Sequence, residues 1–86
     1  MKIKDGFLLR TVAGQHVVLP ESETLNLNMM ITLNETGAFL WEQLQKEATQ
    51  ETLVQALLGE YDVDRETAAA AVSAFVKKLE DNGFLA

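Results

Sequence analysis

The sequence predicts an α+β fold in which a three-stranded antiparallel sheet is followed by three helices. Three observations lead to this prediction. Apolar residues recur about every second position up to Leu33 and at helical spacing after Asn34. Strand-like and helix-like segments are therefore segregated, and no internal repeat divides the chain. With 86 residues, the chain has room for one hydrophobic core, so we expect a single domain over residues 1–86.

The predicted strands precede Asn34. Two β-rich runs between Phe7 and Pro20 are separated by Gly14, where a tight turn requires a glycine, so they predict a β-hairpin. From Leu25 to Leu33 all odd positions are apolar, and the even positions are polar except for a methionine. This alternation places one face on a core and makes the segment the clearest predicted strand.

Three predicted helices follow, each with a capping residue before an apolar stripe. The capping residues are Asn34, Thr49 and Asp64. The first helix is predicted over Glu35–Gln45, the second ends near Gly59 or Glu60, and the third ends at Asn82-Gly83. Phe84-Leu85 then folds back onto the core. The compact form of this order is a sheet packed on a three-helix bundle, in a winged helix-turn-helix-like arrangement.

Composition excludes several classes of function. Thirteen acidic against seven basic residues give a net charge of −6, which disfavours binding to nucleic acids and to anionic membranes. The absence of cysteine excludes disulfides and thiolate metal sites. No apolar run approaches the length of about 18 residues that a membrane helix needs, and the first apolar run is too short for a signal peptide. We therefore expect a soluble, cytoplasmic protein.

Catalytic and cofactor-binding patterns are also missing from the sequence. One histidine, His16, and two serines, Ser22 and Ser73, do not form a recognisable nucleophile-base pair, and His16 is predicted to face outward. The acidic run from Glu60 to Glu66 lacks the glycine of a calcium loop and is better explained by helix capping. The five glycines are scattered rather than grouped in a phosphate-binding loop. We expect no catalytic residue, no bound metal, no cofactor and no enzymatic activity.

A binding surface is the remaining possibility. A three-stranded sheet has two edges, and a long, regular edge strand such as Leu25–Leu33 is a template for a further strand. The third helix begins with small residues at Ala68–Ala71, Ser73 and Ala74, so a backbone can approach it closely. Helix propensity alone also explains those alanines. The aromatic residues are predicted to lie in the core; they include Phe39, Trp41, Tyr61 and Phe75.

The chain resembles the PqqD family over nearly its whole length. The resemblance is carried by the run Leu33-Asn34-Glu35-Thr36-Gly37-Ala38-Phe39-Leu40-Trp41 after an alternating strand, and by six shorter segments. These segments are Phe7–Arg10, Val12–Gly14, Leu53–Leu57, Tyr61–Asp64, Phe75–Leu79 and Gly83–Leu85. Each motif is weak alone, and their order and spacing make the resemblance specific.

This resemblance implies a non-catalytic peptide chaperone related to winged helix-turn-helix domains. Such proteins bind the leader segment of a ribosomal precursor peptide and present it to a radical SAM maturase, as in pyrroloquinoline quinone biosynthesis or a related peptide pathway. In the family the leader adds as a strand to the third strand and lies against the third helix, here Leu25–Leu33 and Ala68–Leu79. Quinone-pathway members tend to have an Asp-Gly turn where this chain has Gln45–Ala48. The resemblance therefore leaves the quinone pathway and a different precursor peptide both open.

The resemblance also implies the residues of a peptide-binding groove. Backbone groups for ladder hydrogen bonds are expected from Asn28, Met29, Met30, Ile31 and Thr32. Side chains of the helical wall are expected from Ala71, Ala74, Phe75 and Lys78. Lys78 is a candidate partner for an acidic leader residue, the alternative being a solvated lysine, and Met30 is the methionine out of phase with the core.

Two other interpretations remain open at this point. A winged-helix DNA-binding regulator is compatible with three helices and a hairpin, although the predicted helices carry few basic residues. A second copy of the chain that covers the open sheet edge gives a homodimer, which does not exclude peptide binding at the same edge.

Overall fold

Three strands precede three helices in the computed structural model, which describes residues 1–20 and 31–86. The elements are β1 (Phe7–Val12), β2 (Gln15–Pro20), β3 (Ile31–Leu33), α1 (Glu35–Gln43), α2 (Gln50–Glu60) and α3 (Arg65–Asp81). The strands form one antiparallel sheet in the order β1-β2-β3. The prediction of an α+β fold with a three-stranded antiparallel sheet followed by three helices is confirmed.

Strands β1 and β2 form the predicted hairpin. Phe7 lies opposite Pro20 and Val12 lies opposite Gln15, so two residues connect the strands. Both connecting residues have positive φ angles, 51° at Ala13 and 79° at Gly14. A two-residue hairpin turn of this kind follows the right-handed twist of the strands, which explains the glycine that the sequence analysis singled out.

Strand β3 is an edge of the described sheet. It pairs with β2, with Ile31 opposite Val18 and Leu33 opposite His16. Leu33 is buried and Thr32 is exposed, as the predicted alternation requires. Of the predicted strand Leu25–Leu33, positions 31–33 are confirmed, and positions 25–30 lie outside the described residues.

All three predicted helix caps are present. In each case the capping side chain accepts a hydrogen bond from the backbone amide three residues later, which satisfies one of the free donors of the first turn. The pairs are Asn34 Oδ1 with Gly37 (2.7 Å), Thr49 Oγ1 with Thr52 (3.1 Å) and Asp64 Oδ1 with Thr67 (2.7 Å).

The first helix is shorter than predicted, ending at Gln43 instead of Gln45. Leu44 is its C-cap and is completely buried. The carbonyl of Leu44 accepts a hydrogen bond from the amide of Ile3 at 3.0 Å, so the N-terminal segment takes the place of a further helical turn. Residues distant in sequence therefore set this helix end.

The core lies between the sheet and the helices, and Phe84 joins its parts. The Phe84 ring makes edge-to-face contacts with Phe7 (4.6 Å between centroids) and Trp41 (5.7 Å). Leu85 forms a β-bridge with Ile3. The predicted return of the C-terminal segment to the core is confirmed.

Trp41 and Phe75 are buried, as predicted, whereas Phe39 and Tyr61 are half-buried and pack edge-to-face at 5.7 Å.

The free energy of unfolding is expected to decrease as the pH falls below the ordinary pKa values of carboxyl groups. Hydrogen bonds from the Thr67 side chain and amide lower the pKa of Asp64 below its ordinary value of 3.8, and a hydrogen bond from Arg65 lowers that of Glu51 below 4.5. A group with a lowered folded-state pKa stabilises the fold fully above its unfolded-state pKa and loses this effect as pH falls through the folded value. Urea unfolding from about pH 6 down to about pH 2.5 measures the loss.

The Asp64→Asn variant is the control, because asparagine keeps a capping oxygen but does not titrate. We expect the acid-induced loss of stability to be smaller in this variant than in the native chain. Identical pH dependence in the two proteins contradicts the role assigned to the Asp64 carboxylate.

Candidate functional site

A groove of about 500 Å³ lies between β3 and α3. Strand β3 and the residues after it form one side, the start of α1 forms the floor, and α3 forms the other side. The lining residues are Thr32, Leu33, Asn34, Thr36, Gly37, Leu40, Ala71, Ala74, Phe75 and Lys78.

The strand side of the groove presents backbone groups of β3. Lys78 Nζ donates a hydrogen bond to the carbonyl oxygen of Thr32 at 3.4 Å across the groove, so this carbonyl is accessible from the side opposite β2. In an antiparallel strand the amide and carbonyl of one residue point to the same side. We therefore expect the amide of Thr32 to face the groove as well.

The helical side consists of the four α3 residues named in the sequence analysis. Ala71, Ala74, Phe75 and Lys78 have the spacing i, i+3, i+4 and i+7, which places them on one face of the helix. Ala74 and Lys78 are exposed, Ala71 is half-buried, and Phe75 is only 8% exposed. Because the two alanines have small side chains, this face of α3 projects little into the groove, and we call it the low wall. The Phe75 ring closes the space beneath the alanines.

The floor of the groove depends on Gly37 in the first turn of α1. A Cβ atom at this position would lie 3.2 Å from Asn34 Oδ1 and 3.3 Å from both Leu33 Cβ and Phe75 Cε1. The contacts are tighter than ordinary van der Waals distances, so glycine permits the close packing of α1 between β3 and α3. The sequence analysis considered Gly37 only as part of a resemblance. The sequence did carry a signal for this role, because Gly37 stands in a predicted helix, where glycine is a poor helix former.

The predicted backbone contacts are only partly within the described structure. Asn28, Met29 and Met30 lie outside the described residues. Ile31 and Thr32 lie in β3; Ile31 is half-buried and packs on the core, and Thr32 lines the groove. Sequence reasoning did not place Asn34, Thr36 or Leu40 in the site, although all three line the groove. It named Asn34 as a helix cap and the other two only within the run that carries the family resemblance.

Charge is sparse in the groove and negative on the adjacent helices. Lys78 carries the only charge among the described groove-lining residues. Helices α2 and α3 carry three basic residues against five acidic ones. One of those bases, Arg65, is paired with Glu51 at 2.6 Å. Such a surface disfavours contact with a phosphate backbone, and the expected absence of nucleic-acid binding stays a prediction.

His16 and Ser73, which the sequence analysis considered as catalytic candidates, lie outside the groove. His16 is half-buried, not fully outward-facing, and its Nδ1 lies 3.1 Å from Thr11 Oγ1. Neither His16 nor Ser73 lines the groove. Within residues 1–20 and 31–86, the acidic and histidine side chains do not come together in a group of three that holds a metal ion.

None of the helices described here is long and apolar enough to cross a membrane.

Within the described residues, β3 is an edge strand that faces α3 across a groove. This arrangement defines a class of small α+β domains to which an extended chain can add as a further strand. The sequence model of the family described as "Coenzyme PQQ synthesis protein D (PqqD)" matches residues 15–85. The chain therefore belongs to the PqqD family, and the resemblance noted from the sequence is confirmed.

Two solved structures share the fold. The structure described as "TbiB1 in Complex with the TbiA(beta) Leader Peptide" has 27% sequence identity and a TM-score of 0.75, over 99% of this chain and 94% of the other. The structure described as "Lasso peptide synthetase B1 complexed with the leader peptide" has 23% identity and a TM-score of 0.72, over 96% and 93% of the respective chains. A comparison with curated proteins gives no significant match.

Proposed function

We propose that this chain is a non-catalytic peptide-binding protein that captures the leader segment of a ribosomal precursor peptide by strand addition to β3. The observation that carries this proposal is the accessible Thr32 carbonyl at the open edge of β3, opposite the low wall of α3. Membership of the PqqD family and the likeness to TbiB1, whose structure holds a leader peptide, support it.

Strand addition uses two kinds of contact. Main-chain hydrogen bonds supply affinity that depends little on sequence, whereas side-chain contacts across the groove supply specificity. Ladder hydrogen bonds are assigned to the backbone of Asn28, Met29, Met30, Ile31 and Thr32. The wall is assigned to Ala71, Ala74, Phe75 and Lys78.

Lys78 has a double role in this scheme. In the free protein its ammonium group lies near the Thr32 carbonyl, which a peptide amide must reach. When the peptide takes that carbonyl, the ammonium group becomes available to a carboxylate of the peptide. An acidic leader residue near Lys78 therefore provides a charge partner on a chain whose net charge is −6.

The wider assignment follows the family relation. Residues 1–86 act as one peptide-recognition domain, which presents the bound leader to a maturation enzyme. The family description names coenzyme PQQ synthesis. We assign the maturation enzyme to the radical SAM class, in the pyrroloquinoline quinone pathway or in a related peptide pathway. In the absence of peptide, a second copy of the chain pairs at the same edge, so peptide and homodimer compete.

The Thr32→Pro variant tests strand addition directly. Proline removes the amide donor at the open edge, and edge strands tolerate proline where the amide does not pair within the sheet. We expect the affinity for a synthetic leader peptide, encoded beside the gene of this chain, to fall by about tenfold or more. Isothermal titration calorimetry measures the affinity, and backbone amide shifts of labelled protein locate the peptide along β3 and α3.

Thr32→Val is the matched control, because it changes the same side chain but retains the amide. We expect this variant to bind the peptide with nearly native affinity. Equal affinities of the proline and valine variants, with native amide spectra for β1 and β2, overturn the assignment of strand addition at β3.

A further inference from the structure

A second, smaller pocket lies at the turn between α2 and α3. Its volume is about 140 Å³, and six of its lining residues belong to α2, α3 and the connecting turn: Leu57, Tyr61, Val63, Thr67, Ala68 and Ala71. We call this cavity the turn pocket. Its described lining contains no charged side chain. Because it is smaller than the pockets that hold whole drug-sized ligands, it suits a single side chain.

The turn pocket adjoins the groove between β3 and α3. Thr36 and Ala71 line both cavities. Along α3, Ala71 lies seven residues before Lys78, or about 10.5 Å at the helical rise. An extended peptide covers this distance with about three residues, so a strand that pairs with β3 reaches the entrance of the turn pocket.

Val63 leaves apolar surface of the turn pocket exposed to solvent. Val63 is 39% exposed and, with Val12 at 57%, is one of two large apolar side chains exposed among the described residues. Val12 lies in the hairpin at the end of β1 and lines none of the groove or the turn pocket. The apolar surface around Val63 gains stability when an apolar group removes it from water.

We propose that the peptide captured at β3 places one aliphatic or aromatic side chain in the turn pocket, about three to five residues from the position that faces Lys78. This inference rests on the proposed function and deepens it, since it gives the residue class that the precursor peptide must carry and its spacing. The pocket acts as a specificity contact, whereas the strand edge supplies sequence-independent affinity.

The Val63→Asp variant tests the turn pocket, with Val12→Asp as the matched control. Both changes replace an exposed valine by aspartate, but of the two valines only Val63 lines the turn pocket. We expect Val63→Asp to weaken binding of the synthetic leader peptide by about tenfold to a hundredfold, which corresponds to the burial of one apolar side chain. Val12→Asp leaves the affinity unchanged, and the near-isosteric Val63→Thr variant gives a smaller loss. Fluorescence anisotropy of labelled peptide measures all four proteins.

A double-mutant cycle identifies the side chain that enters the pocket. Each aliphatic or aromatic leader residue is replaced by alanine and titrated against native protein and the Val63→Asp variant. We expect one leader position at which alanine weakens binding to the native chain but has little effect on binding to Val63→Asp. That position lies three to five residues from the leader residue whose replacement is non-additive with Lys78→Ala, as the helical and extended rises require.

The outcomes separate this inference from the proposed function. Native affinity in Val63→Asp, with amide shifts of positions 31–33 on addition of peptide, overturns the turn pocket as a contact and leaves strand addition in place. Additive effects at every leader position overturn it as well. Failure of the native chain to bind the leader peptide overturns both proposals.

Discussion

The Ala74→Glu variant is expected to lose about fiftyfold or more in affinity for the leader peptide, or roughly 2.3 kcal/mol. Ala74 is exposed and forms part of the low wall of the groove. The introduced carboxylate lies four residues before Lys78, in the order that favours an ion pair on a helix. It therefore fills the groove, neutralises Lys78 and repels an acidic leader residue. Calorimetric titration measures the affinity.

Ala69→Glu is the control for this variant. Ala69 is also an exposed alanine of α3, and it lies about 140° around the helix from Ala74, outside the groove lining. The two variants carry the same net charge and similar helix propensities. We expect native affinity in Ala69→Glu, and comparable losses in both variants contradict the location of the site.

The Phe84→Ala variant is expected to reduce the free energy of unfolding by about 3–5 kcal/mol. Phe84 is 1% exposed, and its ring contacts Phe7 of β1 and Trp41 of α1. The truncation therefore leaves a cavity where the sheet, α1 and the C-terminal segment meet. A domain of this length has a total stability of about 4–13 kcal/mol, so the loss is a large fraction of it. Urea unfolding followed by circular dichroism measures the change.

Leu85→Ala provides the comparison for Phe84→Ala. Leu85 is the neighbouring residue, is half-buried and packs at the margin of the core. We expect this variant to lose distinctly less stability, because less surface returns to water. Equal losses in the two variants show that the C-terminal segment, and not the Phe84 ring, holds these elements together.

Local features of the fold were predictable from the sequence. The caps at Asn34, Thr49 and Asp64 each join a side chain to an amide three residues away. The hairpin turn at Gly14 depends on the backbone freedom of adjacent residues. Such interactions form within one turn of chain, so the pattern of residues suffices to predict them.

The helical wall of the candidate site was predictable in part. The positions of Ala71, Ala74, Phe75 and Lys78 follow from helical spacing, and the family resemblance implied that this face meets a strand. Lys78 was expected to have either a peptide partner or solvent. The structure gives it a third contact, the carbonyl of Thr32.

Other features depend on residues that only the tertiary structure brings together. The end of α1 at Gln43 depends on the amide of Ile3, and the role of Gly37 depends on its distance from Phe75. The turn pocket likewise combines residues of α1, α2, α3 and the turn between α2 and α3. The sequence by itself determined the type and order of the elements, their caps and the apolar face of each helix, because periodicity and capping act over three or four residues. Tertiary packing decided where the elements end, how closely they approach and which cavities remain between them, because these depend on contacts between residues far apart in the chain.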